Sequence, residues 1–415
     1  PTSTATDGTF AVTGVTTPYD VAVYLDASIA ISSRPTVMVY QGLTLTQPTL
    51  TAPAGTGPHY GDNVGGTIGT QLTQTPSEKG LLIAGGPGYS YGGTEGLDYT
   101  DTVNGAFGPL SLTWFGGASR PTTVFALKAD VDSNGMPTAY TGYAATSLTL
   151  TDGVDQTAVD DTLSSNGLTT LAETGTVTGP SGYTLVNGSN CGQNNSCLNV
   201  GSTLLLRFTK GATGATFAVG RGTTSLNVPH DAGGTIGYAL AARAEPAGAM
   251  NDDIFSAALV AAPNAGAGTS NSLTLLTPPD PLSPSNGATG VTTGTSFSWG
   301  ALSNSVYAVS LGPSSSSDTT DPQIIVLTAG TQMTLPDVSA LGVQLPSQVQ
   351  YDYNLSALGP FASVDAAVNQ PLLLDSAQEI LGGIFSTGAT YPIMIPFFVP
   401  DLRVAQGARF TFTTQ

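Results

Sequence analysis

Two short stretches decide the fold: Tyr19-Asp-Val-Ala-Val-Tyr-Leu25 and Thr36-Val-Met-Val-Tyr-Gln-Gly-Leu43. In the first, Tyr19, Val21, Val23 and Leu25 point one way, and Asp20, Ala22 and Tyr24 the other. In the second, Val37, Val39 and Gln41 oppose Thr36, Met38 and Tyr40. A period of two belongs to strands with one buried face. Residues 8–15 and 46–50 extend the pattern to three or four expected strands. So few strands bury too little to stand alone. Their missing wall is expected either from residues 62–70 or from a neighbouring subunit.

The bulk composition agrees with strands. The chain has 415 residues, and at about 150 residues per domain it holds two to four. Charged residues are only 9%, while 52 residues are Gly and 40% are hydrophobic. That balance is too apolar for disorder, which combines low hydrophobicity with high charge. It suits an extracellular all-β protein of tandem β-sandwiches. A net charge of −18 repels phosphate backbones and anionic lipid heads, so nucleic-acid and membrane-surface partners are not expected. Ten Lys and Arg leave few sites for trypsin-like proteases. No apolar run is long enough for a membrane-spanning helix. The opening Pro1-Thr-Ser-Thr-Ala-Thr lacks the parts of a secretory leader, so the chain reads as already processed.

Four regions are expected: a partial sandwich over 1–61, sandwiches over 62–167 and 168–278, and a last one over 279–415 with an insertion at 361–408. In the second region, Asp130-Val-Asp-Ser-Asn-Gly-Met-Pro separates two strand patterns. Asn134-Gly135 reads first as a tight hairpin turn. It reads second as half a calcium loop with Asp130, Asp132 and Asn134 as ligands, although Thr141 stands where such a loop has Glu. Tyr89, Tyr91 and Tyr99 stand in or beside a Gly-rich loop and could stack on a glycan or pack on their own sheet. Asp152, Asp155, Asp160 and Asp161 read as a solvated connector, with calcium and catalysis also open. Cys191 and Cys197 lie six apart in a polar loop, which favours a local disulfide and an oxidising compartment over a metal site. In the insertion, Ser376-Ala-Gln-Glu379 is a capping box that opens the expected short helix. Tyr391-Pro-Ile-Met-Ile-Pro-Phe-Phe-Val follows, the most apolar run in the chain. Its prolines suit an edge or docking segment, with Tyr391, Ile393, Ile395, Phe397 and Phe398 as candidate contacts.

Two resemblances enter on these residues. Gly8-Thr-Phe-Ala-Val-Thr-Gly-Val-Thr-Thr-Pro-Tyr-Asp-Val, with Val39-Tyr-Gln-Gly-Leu-Thr, resembles the later strands of carboxypeptidase-regulatory-like domains, the transthyretin-like sandwiches of secreted bacterial surface proteins. The strands that open that family are absent here. Leu282-Ser-Pro-Ser-Asn-Gly through Trp299 is similar to the start of fibronectin type III or immunoglobulin-like domains, with Trp299 in the place of their core Trp. Both resemblances imply structural or interaction roles.

No catalytic constellation is visible. His59 and His230 are the only histidines and neither sits beside a nucleophile motif. Paired carboxylates leave glycoside hydrolysis as the one enzymatic chemistry not excluded, and no enzyme and no cofactor beyond calcium is expected. The expected function is a secreted structural subunit that joins copies of itself by strand complementation, with Thr9, Phe10, Val12 and Val15 as donor contacts. The alternative is a monomeric adhesin or glycan-binding protein.

Overall fold

A computed structural model describes residues 10–27, 34–50, 60–68, 78–85, 97–100, 105–114, 118–131, 137–160, 162–165, 167–185, 202–210, 213–221, 225–231, 233–246, 255–262, 270–315, 320–370 and 402–415. Within them the chain is all-β, with 26 strands in several sheets and one short α-helix.

The opening stretches form β1 (Tyr19–Leu25) and β2 (Thr36–Leu43), paired antiparallel. The expected wall does come from the same chain, but from neither expected source. β2 runs parallel to the strand Gln323–Thr328, from Thr36 opposite Gln323 to Tyr40 opposite Leu327. The hairpin thereby joins a sheet that continues through Val306–Pro313, Gln350–Gly359, Arg403–Gln406 and Phe255–Ala262. This corrects the single buried face read for β2. Val37 and Val39 pack in one core with Phe297, Trp299 and Tyr353. Met38, Tyr40 and Leu43 pack in a second with Leu358, Phe361 and Leu402. A strand between two neighbours and two cores is apolar on both faces; only β1 keeps strict alternation. The strands expected at 8–15 and 46–50 are also corrected. Residues 10–18 and 44–50 carry no strand, since no described strand flanks either one.

The second region is a sandwich of two sheets. β3 (Tyr60–Thr67), β4 (Glu78–Gly85), β5 (Leu97–Thr100), β6 (Ala106–Trp114), β7 (Ser119–Val131), β8 (Pro137–Thr151) and β9 (Gln156–Asp160) divide into the orders β6-β3-β9 and β5-β4-β7-β8. Val64, Leu110, Leu112 and Trp114 from the first meet Val124, Ala126 and Leu150 from the second. Of the expected residues 62–70, the described 62–68 do not complete the β1–β2 hairpin, because β3 pairs with β6 and β9.

In the third region, Leu168–Thr178 pairs antiparallel with Ser225–Asp231 and parallel with Ser270–Thr274. In the last, Trp299 is buried as expected, its ring 5.4 Å from that of Tyr307. The helix α1 spans Val364–Val368, at the start of the 361–408 insertion. The side chain of Ser363 caps it by accepting from the Ala366 N–H at 3.2 Å. The helix expected after Ser376 lies outside the described residues. No helix among the described residues is long and apolar enough to cross a membrane.

Candidate functional site: a strand edge and an acidic groove

Two places carry chemistry that the cores do not explain. The first is the outer side of β1. Among the described strands β1 ends its sheet, so its outward N–H and C=O groups have no described partner strand. Such an edge is a template for another strand. In the segment that leads into β1, Phe10, Val12 and Val15 are 38%, 61% and 47% exposed. The inner side of the hairpin is clasped. The Thr44 N–H donates to Asp365 Oδ1 at 3.0 Å, and the Thr44 hydroxyl also donates to that carboxylate. Partial burial works against the ionised Asp365, but hydrogen bonds from the Thr44 hydroxyl and from the Thr44 and Leu45 N–H groups outweigh it and hold the pKa down.

The second place is an open groove of about 530 Å³ between β3, β6 and β9, lined by Asn63, Thr67, Phe107, Asp155, Thr157 and Asp160, among others. Here the expectation of a solvated connector over 152–161 holds for the exposed turn 152–155 and is corrected for 156–160. Residues Gln156–Asp160 form β9, parallel to β3, and the aspartates of the strand and of the turn before it are structural acceptors. Asp152 Oδ1 takes the Gly61 N–H at 2.8 Å. Asp155 Oδ1 takes Asn63 Nδ2 at 2.9 Å. Asp160 Oδ1 takes the Thr67 hydroxyl at 2.7 Å. Asn63 is itself held by the Ser111 hydroxyl, which donates to its Oδ1 at 2.7 Å. Gly66 lets the backbones close, since a Cβ there would lie 1.7 Å from the Val159 carbonyl oxygen. Asp62, on the same strand, does not line the groove. It is 4% exposed, and burial first and the nearby Asp155 carboxylate second raise its pKa, against hydrogen bonds from backbone N–H groups.

Asp62 is the residue that sequence reading missed. It was visible only as one polar side chain in the alternation Asp62, Val64 of a strand whose inward face is otherwise apolar.

Of the sequence-predicted residues, Phe10, Val12 and Val15 precede β1 in the chain, exposed and without strand structure. Asp130 sits in β7, opposite Ala139 of β8 and Glu78 of β4. β7 and β8 pair antiparallel, and the turn expected at Asn134-Gly135 lies outside the described residues. Tyr99 lies in β5 opposite Leu81, so that residue belongs to a strand. Thr9, Tyr89, Tyr91, Asp132, Asn134, Cys191, Cys197, Tyr391, Ile393, Ile395, Phe397 and Phe398 lie outside the described residues. Among the described residues no three acidic, histidine or cysteine side chains converge as metal ligands. No protein-family model matches the chain, and no curated protein is similar to it.

Proposed function

We propose that this chain is an extracellular, non-catalytic structural subunit that joins copies of itself into a surface filament or layer by adding strands across sheet edges. The observation that carries the reading is the outer edge of β1, together with the exposed Phe10, Val12 and Val15 in the segment that precedes it. Phe10 and Val12 are two apart, the spacing that places side chains on one face once a strand pairs. Main-chain hydrogen bonds would supply affinity and the alternate apolar side chains register. Such a contact is head-to-tail and does not close on itself, so it propagates. The apolar residues 391–399 are the second candidate contact. Because β2 already has its partner strand in the same chain, the joint is the outer edge of β1 and not a vacancy beside β2.

Deleting residues 1–18 and following light scattering with electron microscopy tests this. Assembly is expected to be lost, while near-ultraviolet circular dichroism keeps its folded signature. Unchanged polymerisation would remove the N-terminal segment as donor. Persistent monomers of the intact chain at high concentration would sink the assembly itself.

A second reading, a monomeric glycan-binding protein, draws on the groove, where Asn63, Asp155 and Asp160 surround Phe107 in an arrangement that can hydrogen-bond sugar hydroxyls. Glycan-array binding by monomers, reduced by Asn63→Ala, would favour it.

A further inference from the structure

We propose, on the premise that copies join by strand addition, that the surface meeting the β1 edge is the far end of the same sheet in a second copy, the strand Thr213–Arg221. The large sheet runs through ten strands in one path, from β1 at one end to Thr213–Arg221 at the other. β1 pairs with β2 on one side only, and Thr213–Arg221 pairs with Ser202–Lys210 on one side only. Each end therefore presents a row of N–H and C=O groups that no described strand takes up.

Edges that must stay single are blunted by shortness, proline or charge. The other terminal strands among the described residues follow that rule. β5, β9, Ser270–Thr274, Pro281–Ser283 and Gln332–Thr334 have five residues or fewer. So do Tyr183–Leu185 and Ala288–Val291, which hang off the large sheet. The longer β6, β8 and Ser225–Asp231 contain Pro109, Pro137 and Pro229. β8 is also capped, since Tyr143 bridges to Ser164 and the Tyr140 N–H donates to the Thr170 hydroxyl at 3.0 Å. β1 and Thr213–Arg221 are the exceptions, with seven and nine residues and no proline. The one charge in β1, Asp20, accepts the Gly42 N–H at 2.8 Å within its own hairpin. The one charge in Thr213–Arg221 is its last residue. Two unblunted edges at the two ends of one path are what a head-to-tail assembly needs, because each is a different surface present once per copy. Pairing them continues the sheet from copy to copy through main-chain hydrogen bonds. Pairing β1 with a second β1 would instead close a symmetric dimer and stop growth.

Amide hydrogen exchange on the unmodified full chain, before and after assembly, reads both edges at once. Amides of Tyr19–Leu25 and of Thr213–Arg221 are expected to gain protection together. Protection gained in β1 without Thr213–Arg221 overturns this partner and leaves strand addition standing. Monomers that never assemble overturn both. Charged variants of single edges then test the polarity of the joint. Ala22 is exposed in β1, and Thr216 stands opposite Arg207 in its own hairpin, where a carboxylate suits the strand pair. Ala22→Glu and Thr216→Glu are each expected to lose elongation in sedimentation while keeping the near-ultraviolet circular dichroism of the folded chain. Mixed, they are expected to form dimers and stop, because each supplies the edge that the other lacks. A mixture that stays monomeric, or Thr216→Glu that still elongates or dimerises alone, overturns the proposal. If either variant loses its folded signature, the exchange pattern of the unmodified chain decides.

Discussion

β2 and β9 are docked in the same way and sealed in opposite ways. Each is brought from a distance and laid parallel on a strand of another hairpin or sheet: β2 on Gln323–Thr328, β9 on β3. The backbone ladder is the same in kind. Around β2 the seal is dry, with Met38, Tyr40, Val306 and Leu327 at most 1% exposed. The core on its other face is dry enough that burial raises the Tyr351 and Tyr353 phenols far above their ordinary value. Around β9 the seal is a ring of Asp, Asn and Thr hydrogen bonds, with a buried carboxylate behind it. Parallel pairing leaves the adhesive open: apolar area makes a joint indifferent to solution conditions, whereas carboxylates make it answer to protons and cations.

The largest expected effect lies in the dry joint. Met38→Ala removes buried volume on the face that meets Leu358 and Leu402 and is expected to cost about 2–5 kcal/mol in denaturant unfolding. A loss under 1 kcal/mol would mean that the hairpin is not held by that core. Next comes the polar joint. Gly66→Ala sets a methyl group against the Val159 carbonyl, which is backbone and cannot rotate away. A cost of about 1–3 kcal/mol is expected, with faster amide exchange in β9; unchanged exchange there would contradict the close approach.

Smaller still is the clasp between Thr44 and Asp365. Asp365→Ala is expected to cost about 0.5–1.5 kcal/mol, because the hydrogen bonds it loses meet solvent. The pH dependence of the two joints then separates them by sign. The folded pKa of Asp365 is depressed, so its contribution is present above the ordinary aspartate value and lost as pH falls through the folded one. The folded pKa of Asp62 is raised. Its contribution is therefore full below the ordinary aspartate value and lost as pH rises through the folded one. Asp62→Asn should flatten that upper part of the stability profile and leave the protein at least as stable at neutral pH. A variant that is less stable at neutral pH would show that the carboxylate has a compensating partner.

Much of the fold was legible. The alternation of β1, the apolar runs of β7 and Val306–Pro313, and the core Trp299 all rest on local pattern, which one strand carries by itself. The grooved site was half legible. Asp152, Asp155 and Asp160 stood out as a cluster, but their acceptor roles depend on Gly61, Asn63 and Thr67, some 90 residues away. Asp62 was hidden because a polar residue on an inward face has no signature until its neighbours are known. The five-residue α1 escaped because it is too short for a helical period, and only the Ser363 cap and the Asp365 clasp mark it.

By itself the sequence determined strand content, the apolar faces, the scarcity of charge and the small number of histidines and cysteines, since each is a property of composition or of a two-residue period. Only the tertiary structure decided what completes the opening hairpin. Period and composition say that the opening hairpin needs a further wall. They do not say which one, because any strand edge offers the same N–H and C=O groups. The choice of Gln323–Thr328 depends on side-chain shape across two cores and nearly three hundred residues.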